Sequence, residues 1–374
     1  MSDRVYADYN ATAPLRDEAR SAMIGAMDAV GNPSSVHGAG REARALIETA
    51  RRQVAGLIGA APQSVVFTSG GTEASALALK GCGRTRIITS AIEHEAVLAA
   101  MPDAARLPVD ADGVLDLDAL RAALSDGGEA SGKDCLVSVQ WANNETGVLQ
   151  PIEQIVEIAH ASGALVHSDA VQGAGKLPID MKAAGVDLMS LSAHKIGGPA
   201  GVGALVVREG LDLKAVQSGG GQEKGRRSGT ENKIGIVGFG AAAEASLAAL
   251  EDWSRVSALR DRFEAAVRKA GNGARIFSSG AARLPNTSCV SISGARGETQ
   301  VIALDLAGIA VSSGSACSSG KVRRSHVLDA MDPGSPDAET AIRVSVGWET
   351  TEEDIDRLVA AWCDLYNRSS ADQQ

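Results

Sequence analysis

The stretches "ALVHSDAVQ" (164–172) and "LMSLSAHKIGGPAG" (188–201) both begin as short aliphatic runs and end on residues that carry chemistry, Asp169 and Lys195. Runs of this length and composition, closed by polar residues or glycine, read as buried strands. The same form recurs upstream and downstream in "SVVFTS" (64–69), "RIITS" (86–90), "CLVSV" (135–139) and "GALVV" (203–207). Between them lie segments of helical period: "EARALIETARRQVAGLI" (42–58), "TEASALALK" (72–80) and "IEQIVEIAHASG" (152–163). Strands alternating with helices predict an α/β layer structure with a mostly parallel central sheet flanked by helices.

The pattern changes near residue 236. Residues 236–271 read as one long helical stretch, followed by strands "TSCVSIS" (287–293) and "AIRVSVG" (341–347) and by helices over 298–308 and 351–366. The last helix has Thr350 or Thr351 as its N-cap and acidic residues in its first turn, as the helix dipole favours. At 374 residues the chain exceeds one typical core. The expected organisation is a large unit over 15–250 and a smaller α+β unit made of 1–14 together with 251–374.

A net charge of −10 argues against nucleic-acid or anionic-membrane partners. Apolar runs are too short to cross a bilayer, and "MSDRVYADYN" lacks the apolar core of a signal peptide, so the expected compartment is the cytoplasm. Five cysteines, without a CxxC pair or a histidine at ligand spacing, point to neither a disulfide framework nor a metal site. Cys135 and Cys289 fall in strand-like runs and Cys363 in a helix, where a buried inert thiol is expected; Cys82, between two glycines, is open to exposure. Cys317 stands apart. Its surroundings, "VSSGSACSSG" (311–320), place a thiol among serines and glycines with nothing apolar nearby.

In open α/β sheets ligands bind at the carboxyl ends of the strands. After the strand at 64–69, Gly70, Gly71 and Thr72 open a helix and offer backbone N–H groups to an anion. His94 follows the next strand and reads alone as a capping or surface histidine; Asn143 and Asn144 read alone as turn residues. Asp169 and Lys195 at two strand ends allow two readings. One is a structural salt bridge. The other is a pyridoxal phosphate site, with a lysine amine to condense with the aldehyde, an aspartate to hold the ring nitrogen protonated, and Gly71, Thr72, Ser192 and His194 to supply phosphate donors.

With these residues in view, the chain resembles the class V aminotransferase group of fold-type I pyridoxal phosphate enzymes, and within it the cysteine desulfurases of the NifS/IscS kind. The matching motifs are "YADYNATAP", "NPSSVHGAGREAR", "FTSGGTEA", "EHEAV", "NNETGVLQPI", "VHSDAVQGAGK", "SAHKIGGPAGVGAL", "RRSGTEN", "SSGSACSSG" and "IRVSVG", in the family's order from residue 6 to 347. The resemblance implies pyridoxal 5'-phosphate as cofactor, with Lys195 as Schiff-base lysine and acid/base and His94 stacked on the ring. It implies Asp169 at the ring nitrogen, Gln172 at the ring hydroxyl, Asn144 at cofactor or substrate, and Gly71, Thr72, Ser192 and His194 at the phosphate. Asn10 and Arg343 would clamp the substrate carboxylate. Thr230 would reach the neighbouring subunit's phosphate in a homodimer. Cys317 would take sulfur from L-cysteine as a persulfide, leaving L-alanine, and pass it to an acceptor protein such as an iron–sulfur scaffold. Selenocysteine lyase and other class V aminotransferases or β-lyases share the cofactor residues and are the alternative. One departure is the helix after "GGTE", which reads Ala74-Ser75-Ala76 where relatives often carry asparagine. The chain also ends soon after the last helix.

Overall fold

The structure is a computed structural model and describes residues 4–125, 132–271, 273–313 and 324–371. Numbered along the chain, the strands are β1 (Val5–Tyr6), β2 (Val65–Thr68), β3 (Arg86–Ser90), β4 (Ala105–Leu107), β5 (Cys135–Ser138), β6 (Leu165–Asp169), β7 (Leu188–Ser192), β8 (Gly203–Val207), β9 (Ala274–Ile276), β10 (Thr287–Ile292), β11 (Ile309–Ala310), β12 (Ser312–Ser313) and β13 (Ala341–Ser345). The central sheet has the order β2-β8-β7-β6-β5-β3-β4. It is parallel except for β8, which runs against both neighbours. This is the architecture the alternating pattern predicts.

The helices are α1 (Asp17–Met27), α2 (Gly38–Leu57), α3 (Gly71–Gly81), α4 (Glu95–Leu98), α5 (Leu117–Ser125), α6 (Ile152–Ala161), α7 (Lys233–Ala248), α8 (Trp253–Ala270), α9 (Gly297–Leu306), α10 (His326–Met331), α11 (Asp337–Thr340) and α12 (Glu352–Ala371). Of these, α2, α3, α5, α6 and α7 cover the two faces of the central sheet, which is why its strands are largely apolar. Val65, Phe67, Val166, Met189 and Val206 meet α2, α6 and α7 on one face. Val66, Leu136, Leu165, Leu188 and Leu205 meet α3 on the other. The two-residue period of a strand then places Ser138, His167, Asp169, Ser190 and Ser192 on the α3 face as well. His167 bridges Ser138 Oγ and Ser190 Oγ at 2.8 Å each, and Ser75 Oγ of α3 donates to Ser190 Oγ at 3.2 Å. This buried polar layer separates the apolar core from the strand ends, and it accounts for the serine in Ala74-Ser75-Ala76. Burial pushes the His167 imidazole down to about 3, so it is neutral at physiological pH.

The second sheet has the order β12-β13-β10-β9 and is antiparallel throughout. α8 and α12 pack on it through Phe263, Leu358 and Trp362, which share a core with Val290, Ile342 and Val344. β1 pairs in parallel with β11, and Asp8 bridges to Ser345, so residues 5–8 are fixed by segments some 300 positions away.

Residues 236–271 are not one helix. The chain breaks at Ala249, and α7 and α8 are bent by 59°. α7 lies on α1 and α2, whereas α8 packs on the second sheet. The corner is pinned by Trp253 Nε1 donating to the Gly175 carbonyl at 2.7 Å. One continuous helical pattern thus serves two cores. At the last helix Thr351 is the cap: its Oγ1 accepts from Asp354 N at 3.1 Å, and Asp354 Oδ2 accepts from Thr351 N at 2.9 Å. Thr350 accepts instead from Gly347 N at 3.0 Å. Cys82 is buried rather than exposed, because the end of α3 lies against the segment that carries Leu213 and Lys214. Among the described residues no single helix is long and apolar enough to cross a membrane.

Candidate active site

A cavity of about 270 Å³ opens at the carboxyl ends of β2, β3, β5, β6 and β7. Asn10, Gly71, Thr72, His94, Asn144, Asp169, Gln172, Ser192, His194, Lys195 and Arg343 all line it. Thr230 does not; it borders a separate cavity of about 110 Å³ beside Thr68, Ser69 and Arg227. Cys317 lies outside the described residues.

The anion cradle is built at the start of α3. Gly70 and Gly71 turn the chain from β2 into the helix, whose first N–H groups have no intrahelical partner. A side chain at Gly71 would press against Val171 Cγ2 at 2.8 Å, and one at Gly203 would meet the Gly70 backbone at 2.5 Å. Both glycines are required by the close approach of β2, β8 and the turn after β6. Ser192 and His194 face the same space, and His194 Nδ1 lies 3.2 Å from Thr12 Oγ1. Burial and the neighbouring Lys195 push the His194 imidazole down to about 4.

Lys195 closes the short 3₁₀ turn that follows β7. Its Nζ donates to the Asn10 carbonyl at 2.5 Å and to the Ala11 carbonyl at 2.7 Å. Asp169 is buried at the end of the adjacent strand, with Oδ1 accepting from Val171 N at 3.0 Å. Burial lifts its carboxyl above the usual range, opposed by His94 and Lys195, so a further cation placed beside it would favour the ionised form. His94 is both a cap and a cavity residue. Its Nδ1 accepts from Ala96 N at 3.1 Å, which leaves Nε2 to carry the proton of the neutral ring.

Arg343 reaches the cavity from β13 of the second sheet. Its Nη1 donates to the Asn144 carbonyl at 3.0 Å and its Nη2 to Asp8 Oδ1 at 2.8 Å. Its buried Nε has no hydrogen-bond partner among the described residues. Asn10 lines the cavity beside Arg343, and its Nδ2 donates to Thr287 Oγ1 at 2.9 Å and to the Asn144 carbonyl at 3.3 Å.

Behind the lining stands Glu93, which the sequence reading passed over beside His94. Its Oε1 accepts from Ser90 Oγ at 2.5 Å and Gln140 N at 3.1 Å. Burial pushes its carboxyl from 4.5 up to about 8, so the native state holds a proton at neutral pH that the unfolded chain releases. Its contribution to stability is full below about pH 4.5 and is lost as the pH rises through about 8. Urea unfolding of Glu93→Gln should therefore show a smaller loss of stability than the parent between about pH 5.5 and pH 8. Equal losses in the two proteins would refute this assignment.

The family model for class-V aminotransferases matches residues 5–358. The chain belongs to that family. It is 47% identical over 372 residues to a cysteine desulfurase of Cereibacter sphaeroides, covering 96% of this chain and 94% of that protein. It is 41% identical over 374 residues to the cysteine desulfurase NifS of Azotobacter vinelandii, covering 96% and 91%. Among solved structures, a NifS-like protein from Rickettsia africae ESF-5 superposes with a TM-score of 0.90 at 36% identity, covering 97% of this chain and 99% of that one. The fold is that of NifS-like members of the class-V family, as the motifs imply.

For a class-V member, the residues flanking Cys317 are informative. Ser312 and Ser313 of β12 pair with Arg343 and Ile342, and Ser312 Oγ donates to Asp8 Oδ2 at 2.7 Å. On the far side, Ser325 Oγ donates to Glu145 Oε2 at 2.6 Å, directly after cavity-lining Asn144. The chain enters and leaves the stretch 314–323 at residues tied to the cavity wall.

Proposed function

We propose that the protein is a cysteine desulfurase that holds pyridoxal 5'-phosphate in the central cavity and carries sulfur on Cys317. The observation that carries the reading is the convergence of Lys195, Asp169, the Gly71–Thr72 cradle and Arg343 on one cavity, in a chain whose relatives are named cysteine desulfurases. The Gly71–Thr72 turn and an Arg343 Nε without a hydrogen-bond partner among the described residues fit an anionic cofactor and a carboxylate substrate. When bound, the cofactor supplies an electron sink for charge developing at the substrate α-carbon.

The chain's residues supply the rest. Asp169 would hold the ring nitrogen and Gln172 the ring hydroxyl. Gly71, Thr72, Ser192 and His194 would hold the phosphate, and Asn144 would contact cofactor or substrate. Asn10 and Arg343 would bind the L-cysteine carboxylate. Lys195 would move the α-proton, and His94 would lie at the ring and assist through Nε2. The Cys317 thiolate attacks the substrate sulfur; the carbon–sulfur bond breaks as the new sulfur–sulfur bond forms. The electron pair left on carbon is protonated to give L-alanine, so cysteine and enzyme thiol become alanine and enzyme persulfide.

The reading includes a homodimer in which Thr230 completes the neighbour's phosphate site, a cytoplasmic location, and transfer of sulfur to an acceptor such as an iron–sulfur scaffold. It keeps a large unit at 15–250 and a small unit of 1–14 with 251–374; the pairing of β1 with β11 supports placing the N-terminus in the latter. Purified protein loaded with pyridoxal phosphate should show visible absorbance and form alanine and sulfide from L-cysteine with a reductant. Turnover of selenocysteine but not cysteine, or amino transfer to a 2-oxo acid, would replace this reading by the lyase or aminotransferase alternative.

A further inference from the structure

Lys176 is a buried lysine with no carboxylate partner among the described residues. The nearby charges that act on it, Lys195 and Arg343, are both cationic, and burial holds its amine well below the ordinary lysine range. An aliphatic side chain would avoid the cost of desolvating an amine there. Its hydrogen bonds give a reason for the amine. Nζ donates to Asn10 Oδ1 at 2.9 Å and to Gln172 Oε1 at 2.8 Å. Both partners are acceptors, so the bonds persist whether the amine is charged or neutral.

We propose that Lys176 is a positioning residue for Lys195, acting by clamping Asn10 to Gln172. Gln172 Nε2 donates to the Asn10 carbonyl at 3.0 Å, the same oxygen that receives Lys195 Nζ at 2.5 Å. Lys176, Gln172 and Asn10 thus form a closed ring of hydrogen bonds on the oxygen that holds Lys195. The ring joins two distant segments, the one following β1 and the turn following β6. Asn286 Nδ2 adds a donor to Asn10 Oδ1 at 3.0 Å, but among the described residues only Lys176 reaches both amides. The ring also settles the orientation of Gln172: with Oε1 committed to Lys176, the group left to face the cavity is an Nε2 hydrogen. Lys176 does not itself line the cavity, so its effect passes through its partners.

The inference rests on the cofactor reading above, and its test separates the two. Parent, Lys176→Met and Lys176→Gln are loaded with pyridoxal phosphate; the visible spectrum is titrated with pH, and kcat and KM for L-cysteine are measured. Methionine keeps the stem and removes both donors, whereas glutamine restores one. In Lys176→Met the visible band should titrate at a midpoint shifted by about half a unit or more. Its kcat should fall about tenfold, while KM, set mainly by Arg343, changes less than about twofold. Lys176→Gln should lie between Lys176→Met and the parent. A loaded Lys176→Met with the parent's band, midpoint and kcat overturns the inference. If that variant does not accumulate as folded protein, a Lys176→Gln equal to the parent overturns it instead. A parent that takes up no pyridoxal phosphate defeats the cofactor reading itself.

Discussion

Lys195→Ala protein is expected to lose alanine formation from L-cysteine by about 10³-fold or more, together with the parent's visible absorbance. The size of the effect follows from the position of the amine. Lys195 ends the turn after β7, where two main-chain carbonyls hold its Nζ at the cavity. Lys176 is the other lysine of this neighbourhood. It is committed to two side-chain amides and does not line the cavity, so it cannot replace Lys195. Absorbance and alanine measured on the same preparation check the outcome. Near-parental rates in the variant would mean that the cavity performs different chemistry.

Cys317→Ser is expected to leave cofactor binding and absorbance unchanged while alanine formation falls below about one hundredth of the parent. A hydroxyl is a poor nucleophile toward sulfur at neutral pH, and a serine cannot hold a persulfide. The four described cysteines offer no substitute. Cys289 is buried in β10, with its thiol pushed above the physiological range by burial, and Cys82 and Cys135 are raised in the same way. Cys363 of α12, half-buried rather than buried as its helical pattern predicts, is also raised by burial and does not line the cavity. The variant separates two mechanisms with one cofactor: a lyase that releases the chalcogen directly would keep its rate. Full activity of Cys317→Ser with L-cysteine would end the persulfide reading.

The central sheet was legible because its strands are buried on both faces and stop abruptly at polar residues. Asp169, Lys195 and the Gly71 turn could be placed at strand ends from that rule, which left a salt bridge and a cofactor site as the two readings of the pair. Arg343 could not. It sits in a β-strand of ordinary composition and reaches the cavity through the pairing of β13 with β10 and β12, which local pattern does not encode. Lys176 was hidden for a related reason, since a lysine after a Gly-rich turn is solvated in most settings, and its burial depends on Asn10. The roles proposed for Thr230 and Cys317 rest on the family motifs. The break at Ala249 was invisible because both halves keep a helical period while serving different cores. Capping gave His94 its bland reading, and the structure shows the cap and the cavity position to be compatible.

The N-terminal strand has a consequence for synthesis. Residues 5–10 leave the ribosome some 300 residues ahead of Ile309, Ala310 and Ser345, which secure them, and the Asn10 and Ala11 carbonyls hold Lys195 only once that is done. A nascent chain that has finished the central sheet therefore has its lysine but not its cage. The setting of the Lys195 amine is completed only after residue 345 has been made, so products truncated before it carry the sheet without a completed amine site.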